Sequence, residues 1–122
     1  MTMNRIEKIL SDKERLNDAF KSLRKRGFVA RQNYWCCQSC GWAAVGDEPK
    51  NVIFYHKQDA EAIVDGKLVG TLYVAHRFSE QSKGWEVCAE LAKNGLYVNW
   101  DGSDDTRIAV INKQNFKQRR HD

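Results

Sequence analysis

The sequence predicts a single α+β domain, in which an antiparallel or mixed sheet of about four to five strands is covered by two helices. Segments rich in β-branched and aromatic residues dominate the middle of the chain. Two amphipathic helical segments stand before and between them. The 122 residues suit one domain, and a hydrophobic fraction of 42% supplies a core. We expect residues 1–11 and 112–122 to be peripheral.

The first helix is predicted over residues 12–26. Ser11 and Glu14 match a capping box, in which each side chain bonds the backbone amide of the other residue. An apolar stripe follows at helical spacing, and basic residues crowd the last turn before Gly27. Residues 28–35 are expected to be extended and to lead into a group of cysteines.

The later segments alternate between strands and helices. Strands are predicted at residues 51–56, 68–76, 96–100 and 106–111. A short helix is predicted at 58–64 and the second main helix at 80–94. The last two strands flank an aspartate-rich turn.

Composition restricts the function classes. No run of about 18 apolar residues exists, and residues 1–10 lack the apolar stretch of a secretory signal. We therefore expect a cytoplasmic protein without a membrane partner. In that compartment thiols stay reduced, so clustered cysteines indicate metal binding or reactivity before structural disulfides.

Charge is distributed unevenly along the chain. The net charge is +5 over residues 1–31, −5 over residues 32–106 and +4 over residues 107–122. Basic ends of this kind allow a nucleic-acid partner, but no nucleic-acid-binding motif accompanies them. Solvated helix faces explain the pattern more simply, and a protein partner is expected ahead of nucleic acid.

The cysteine segment is the most specific chemical signal. Cys37 and Cys40 are separated by two residues and followed by glycine, as in a zinc knuckle whose tight turn aims both sulfurs at one point. Tetrahedral zinc needs two further ligands, and the candidates are Cys36, His56, His76 and Cys88. His56 and His76 each end a predicted strand and could meet at one sheet edge, which gives a candidate zinc site of Cys37, Cys40, His56 and His76. Cys36 is expected to point away if this segment is extended.

Other functions use the same residues. A Cys-x-x-Cys pair can close to a disulfide in redox chemistry, although residues 41–45 look too short for the helix that follows such a motif in thioredoxins. A thiol-dependent enzyme could use Cys36 or Cys37 as nucleophile, His56 or His76 as base and Asp59 as orienting group. The cysteines could also simply pack in a metal-free adaptor protein of bacterial or phage origin.

A second polar cluster spans residues 56–61 and directly follows an apolar strand, where pocket residues often lie. It could equally be a helix start with acidic residues in the first turn. The candidate binding residues are Arg31, Gln58 and Glu61. Glu61 is also an alternative to Asp59 as the orienting group.

The segments at residues 30–40 and 54–59 resemble a group of uncharacterised bacterial proteins, a domain of unknown function. That group pairs a Cys-Cys-x-x-Cys segment with a downstream His-x-Gln-Asp segment, followed by a strand similar to residues 66–75. The resemblance covers roughly residues 12–111 and implies no activity. It does imply that one site contains Cys36, Cys37, Cys40, His56, Gln58 and Asp59. The leading hypothesis is a small binding or accessory protein with a Cys-x-x-Cys zinc-type site.

Overall fold

The computed structural model describes residues 10–112 as three helices, seven short strands and one turn of 3₁₀ helix. In chain order the elements are α1 (Asp12–Lys25), β1 (Val29–Arg31), α2 (Gln38–Val45), β2 (Val52–Phe54), the 3₁₀ helix (Asp59–Ala62), β3 (Ile63–Val64), β4 (Lys67–Leu68), β5 (Leu72–Arg77), α3 (Gln81–Lys93), β6 (Tyr97–Asn99) and β7 (Ile108–Ile111). Most of the predicted peripheral residues at both ends lie outside the described range.

The main sheet has five strands in the order β1-β2-β5-β7-β6. β1 pairs with β2 in parallel, and every other pairing in this sheet is antiparallel. β3 and β4 form a separate small hairpin. The sheet is therefore mixed, and the predicted α+β class is confirmed.

Side chains of the sheet alternate between its two faces. On one face, Ile53 and Tyr55 join the large core that is covered by α1 and α3. On the other face, Val52 and Phe54 form a smaller cluster with Trp42 of α2. The cysteine-bearing helix α2 thus lies across the sheet from the other two helices.

The N-terminus of α1 has the predicted capping box. The Glu14 amide donates to Ser11 Oγ at 3.1 Å, and the Ser11 amide donates to Glu14 Oε1 at 2.9 Å. At the other end, Arg26 is 3.1 Å from the buried carboxylate of Glu90 on α3. This ion pair ties the end of α1 to the second covering helix.

Helix α2 is the main difference from the expected elements, because the cysteine segment was expected to be a turn. α2 is only eight residues long and contains a glycine at its centre, so its local sequence favours a helix weakly. Trp42 and Val45 pack against the cluster that Phe54 forms with Val52 and Ala75 on the sheet, and this tertiary packing stabilises the helix. Elsewhere, the predicted strand at 68–76 is divided into β4 and β5, and the helix expected at 58–64 is a 3₁₀ turn followed by β3.

Candidate metal centre

The loop between β1 and α2 fixes the position of the cysteines. The Tyr34 amide donates to the Tyr55 carbonyl, and the Lys57 amide donates to the Trp35 carbonyl, both at 2.9 Å. Asn33 and Trp35 have φ angles of 53° and 64°. Positive φ is rare for a residue as bulky as tryptophan, and it makes the chain turn sharply just before Cys36.

Three cysteine side chains meet where this loop enters α2. Cys36 Sγ is 3.6 Å from Cys40 Sγ and 3.9 Å from Cys37 Sγ, and all three sulfurs lie within 4.8 Å of one another. Cys37 is the N-cap of α2, and Cys40 lies in its first turn. The expectation that Cys36 points away is wrong, because the turn at Trp35 replaces the extended backbone on which it depended.

The pKa values of Cys37 and Cys40 are shifted in opposite directions. The backbone amide of Cys40, and then its thiol, stabilise the Cys37 thiolate and lower the pKa of Cys37 below its ordinary value. Hydrogen bonds with the Cys37 and Cys36 side chains, and then the negative charge of those two groups, raise the pKa of Cys40 to about 11. Of these two, Cys37 therefore ionises first.

This sulfur arrangement fits a metal ion. Zinc–thiolate bonds of about 2.3 Å at tetrahedral angles place neighbouring sulfurs about 3.8 Å apart. The separations of 3.6 and 3.9 Å lie on either side of that value. Cys36 is exposed and the other two cysteines are partly exposed, so an ion can reach the site from solvent. The three cysteines could hold a metal ion.

A family model for a domain of unknown function, DUF6891, matches residues 9–120. The chain belongs to this family. The predicted resemblance to a domain of unknown function is thereby confirmed, whereas the match does not bear on a bacterial origin. Comparisons with curated proteins and with solved structures gave no match. Because the family description assigns no activity, the function has to be argued from the site.

His56 does not join the cysteine group, although its segment runs beside the cysteine loop. Its side chain is buried, with Nε2 3.1 Å from Asp59 Oδ2, and the Asp59 amide donates to Nδ1 at 3.2 Å. Arg107 Nη1 lies 3.4 Å from the same carboxylate. Both ring nitrogens of His56 therefore contact Asp59, and the pair fixes the start of the 3₁₀ helix. Asp59 therefore contacts His56, as an orienting group would, but the ring has no free nitrogen with which to act as a base on a cysteine.

His76 lies elsewhere in the sheet. β2 and β5 are antiparallel with Ile53 opposite His76, so His56 lies three residues, about 10 Å, farther along. His76 Nε2 is 2.6 Å from the Thr106 carbonyl and must donate to it, and its ring stacks on Phe78 at 4.7 Å. Within residues 10–112 the predicted zinc site of Cys37, Cys40, His56 and His76 is not assembled, because antiparallel strands end at opposite sides of a sheet.

The remaining candidate residues are dispersed. Arg31 is exposed at the end of β1, and Gln58 and Glu61 are exposed at the 3₁₀ helix. Cys88 on α3 packs against the large core, and burial raises its pKa to about 11. Within the described range, no helix has the length and apolar character needed to cross a bilayer.

Arg77 holds the cysteine-bearing helix α2 in place, and no sequence motif predicted this role. Its guanidinium lies 5.0 Å from the centre of the Trp42 ring, and it donates to the carbonyls of Gly46 and Pro49. These contacts fasten the C-terminal end of α2 to β5. A cavity of about 430 Å³ lies beside this contact and is lined partly by Gln38 of α2. Only the three-dimensional pairing of α2 with β5 reveals this role.

Proposed function

We propose that this protein is a small binding or accessory protein that holds one thiophilic metal ion, zinc in the first instance, through Cys36, Cys37 and Cys40. The observation that carries the proposal is the mutual approach of three sulfurs at distances close to those of a metal–thiolate site. A reducing compartment such as the cytoplasm is part of the proposal, because oxidation of these thiols would remove the ligands.

The surroundings of the sulfurs support this proposal. The first turn of α2 leaves backbone amides without helical partners, and its dipole favours negative charge at this end. The Cys40 amide already favours the thiolate of Cys37. Thiolates are the form that binds metal, so the helix start lowers the cost of forming the site.

The metal content of the purified chain tests the proposal. Protein prepared with reductant and without chelator is expected to carry about one zinc per chain by native mass spectrometry. Serine at position 36, 37 or 40 should weaken binding by more than the roughly 10–100-fold that loss of an outer-shell partner costs. Cys88→Ser is the matched control and should keep the metal. Equal zinc content in wild type and the triple serine variant would contradict the proposal.

Thiol–disulfide exchange is the second candidate function, and one observation favours it. The sequence predicted too short a helix after the Cys-x-x-Cys motif for redox chemistry. In the structure the motif itself begins α2, with Cys37 as the N-cap and Cys40 in the first turn. The Cys37 thiolate would attack a substrate disulfide and release one thiolate. Cys40, as thiolate, would then attack the Cys37 sulfur, release the second substrate thiolate and leave a Cys37–Cys40 disulfide.

Alkylation rates separate this candidate from simple packing. In metal-free, reduced protein near neutral pH, iodoacetamide should modify Cys37 fastest and Cys40 and Cys88 much more slowly, because the latter two have pKa values of about 11. Peptide mapping after short exposure measures the order, and Cys37→Ser should abolish the fast phase. Equal slow labelling of all cysteines would rule out a reactive thiol.

A further inference from the structure

We infer that the cysteine site prefers an ion satisfied by three sulfur ligands, with Cu(I) favoured and trivalent arsenic sharing the same chemistry. This inference rests on the proposed metal-binding function and specifies its ligand. The observation that carries it is a group of three thiols, Cys36, Cys37 and Cys40, to which the described chain adds no fourth cysteine, histidine or carboxylate ligand.

Each other cysteine or histidine in residues 10–112 is held elsewhere. His56 contacts Asp59 through both ring nitrogens, and His76 donates to the Thr106 carbonyl. Cys88 packs against the core on the opposite side of the sheet. Among the cysteine, histidine and carboxylate side chains of residues 10–112, these three sulfurs alone form a group of three close enough to share an ion.

The number of ligands determines which ions suit the site. Zinc in structural sites is almost always four-coordinate, so here it would need water or another external ligand in the fourth position. Cu(I) is a soft ion that prefers thiolates and is commonly satisfied by three of them. Trivalent arsenic forms three bonds to sulfur and keeps a lone pair in place of a fourth ligand.

The copper and arsenic complexes of three thiolates differ in net charge. Cu⁺ and three thiols give a tris-thiolate complex of charge −2 with release of three protons. Arsenous acid, As(OH)₃, and three thiols give a neutral complex with release of three water molecules. The N-terminus of α2 stabilises negative charge at Cys37, so the site favours the copper complex.

Three binding experiments on the reduced full chain under anaerobic conditions test the inference. Cu(I) is added in the presence of a competing chelator, arsenite in a second sample and Zn²⁺ in a third. Native mass spectrometry counts the ions, and X-ray absorption counts their sulfur neighbours. We expect one Cu(I) per chain with three sulfur neighbours, and loss of that three-sulfur signature in Cys36→Ser, Cys37→Ser and Cys40→Ser.

Two control variants test whether any other side chain takes part in metal binding. Cys88→Ser should keep the three-sulfur site. His121 lies outside the described residues, so His121→Ala tests for a fourth protein ligand and should leave zinc and copper affinity unchanged. Three-sulfur binding of copper would support the inference. Three-sulfur binding of arsenic without copper would support the preference for three sulfurs and overturn the preference for Cu(I).

The failures of the two proposals are distinguishable. If none of the three ions binds, the proposed metal-binding function itself is wrong. If zinc binds with a fourth protein ligand, or if Cu(I) and arsenic engage only two sulfurs and leave the third open to alkylation, metal binding stands and the three-sulfur preference is overturned.

Discussion

Phe54→Ala is expected to lower the free energy of unfolding by about 3–5 kcal/mol. Phe54 is fully buried, and its ring centre lies 4.8 Å from that of Trp42 and 5.7 Å from that of Tyr34. It is the large side chain on which α2 rests, so alanine would leave a cavity between helix and sheet. Equilibrium unfolding in urea measures the loss.

The same substitution should also weaken metal binding, because the first turn of α2 carries Cys40 and its N-cap is Cys37. Phe20→Ala is the matched control. Phe20 is equally buried but belongs to the core on the other face of the sheet. We expect a comparable loss of stability in that variant and unchanged metal affinity under conditions where both variants are folded. Equal loss of metal affinity in the two variants would contradict a specific link between Phe54 and the site.

Gly41→Ala is expected to destabilise the protein by about 1–3 kcal/mol through overpacking. Helix propensity alone predicts the reverse, since alanine in a helix interior is favoured over glycine by about 1 kcal/mol. A Cβ atom at position 41 would lie 2.5 Å from Cε1 of Phe54, which is too close for two non-bonded carbon atoms. The sequence analysis assigned this glycine to the tight turn of a zinc knuckle, whereas the structure shows that it allows close packing of α2 on the sheet.

A double-mutant cycle separates these two effects. If the clash dominates, Phe54→Leu should cost less stability in the Gly41→Ala background than in the wild type, because the smaller side chain makes room for the added methyl group. Urea unfolding of the four proteins gives the coupling energy. A gain of stability in Gly41→Ala alone would mean that α2 shifts at little cost and that helix propensity decides.

The two candidate functions exclude each other at any one time. A Cys37–Cys40 disulfide would remove two of the three metal ligands, and a bound ion would occupy the attacking thiolate. Metal measurements therefore need reductant, and alkylation measurements need metal-free protein.

The sequence by itself determined those helices and strands that are encoded by residues close together in the chain. The capping box at Ser11 and Glu14 lies within four residues and forms as expected. The amphipathic stripes of α1 and α3 and the β-rich segments between them gave the α+β class, because burial of one face imposes a regular period on the sequence. The two-residue separation of Cys37 and Cys40 identified two of the three sulfurs, because so short a spacing keeps both side chains close together.

The tertiary structure alone decided how those residues combine. α2 is helical because Phe54 and Trp42 pack together, a contact between residues twelve positions apart that local propensity does not encode. Cys36 joins the cluster because backbone bonds from the strand-end segment hold Trp35 in a left-handed turn. His56 and His76 are separated because their strands run antiparallel, a pairing that periodicity leaves open. Each of these outcomes depends on contacts between segments, and such contacts determine which side chains meet at a site.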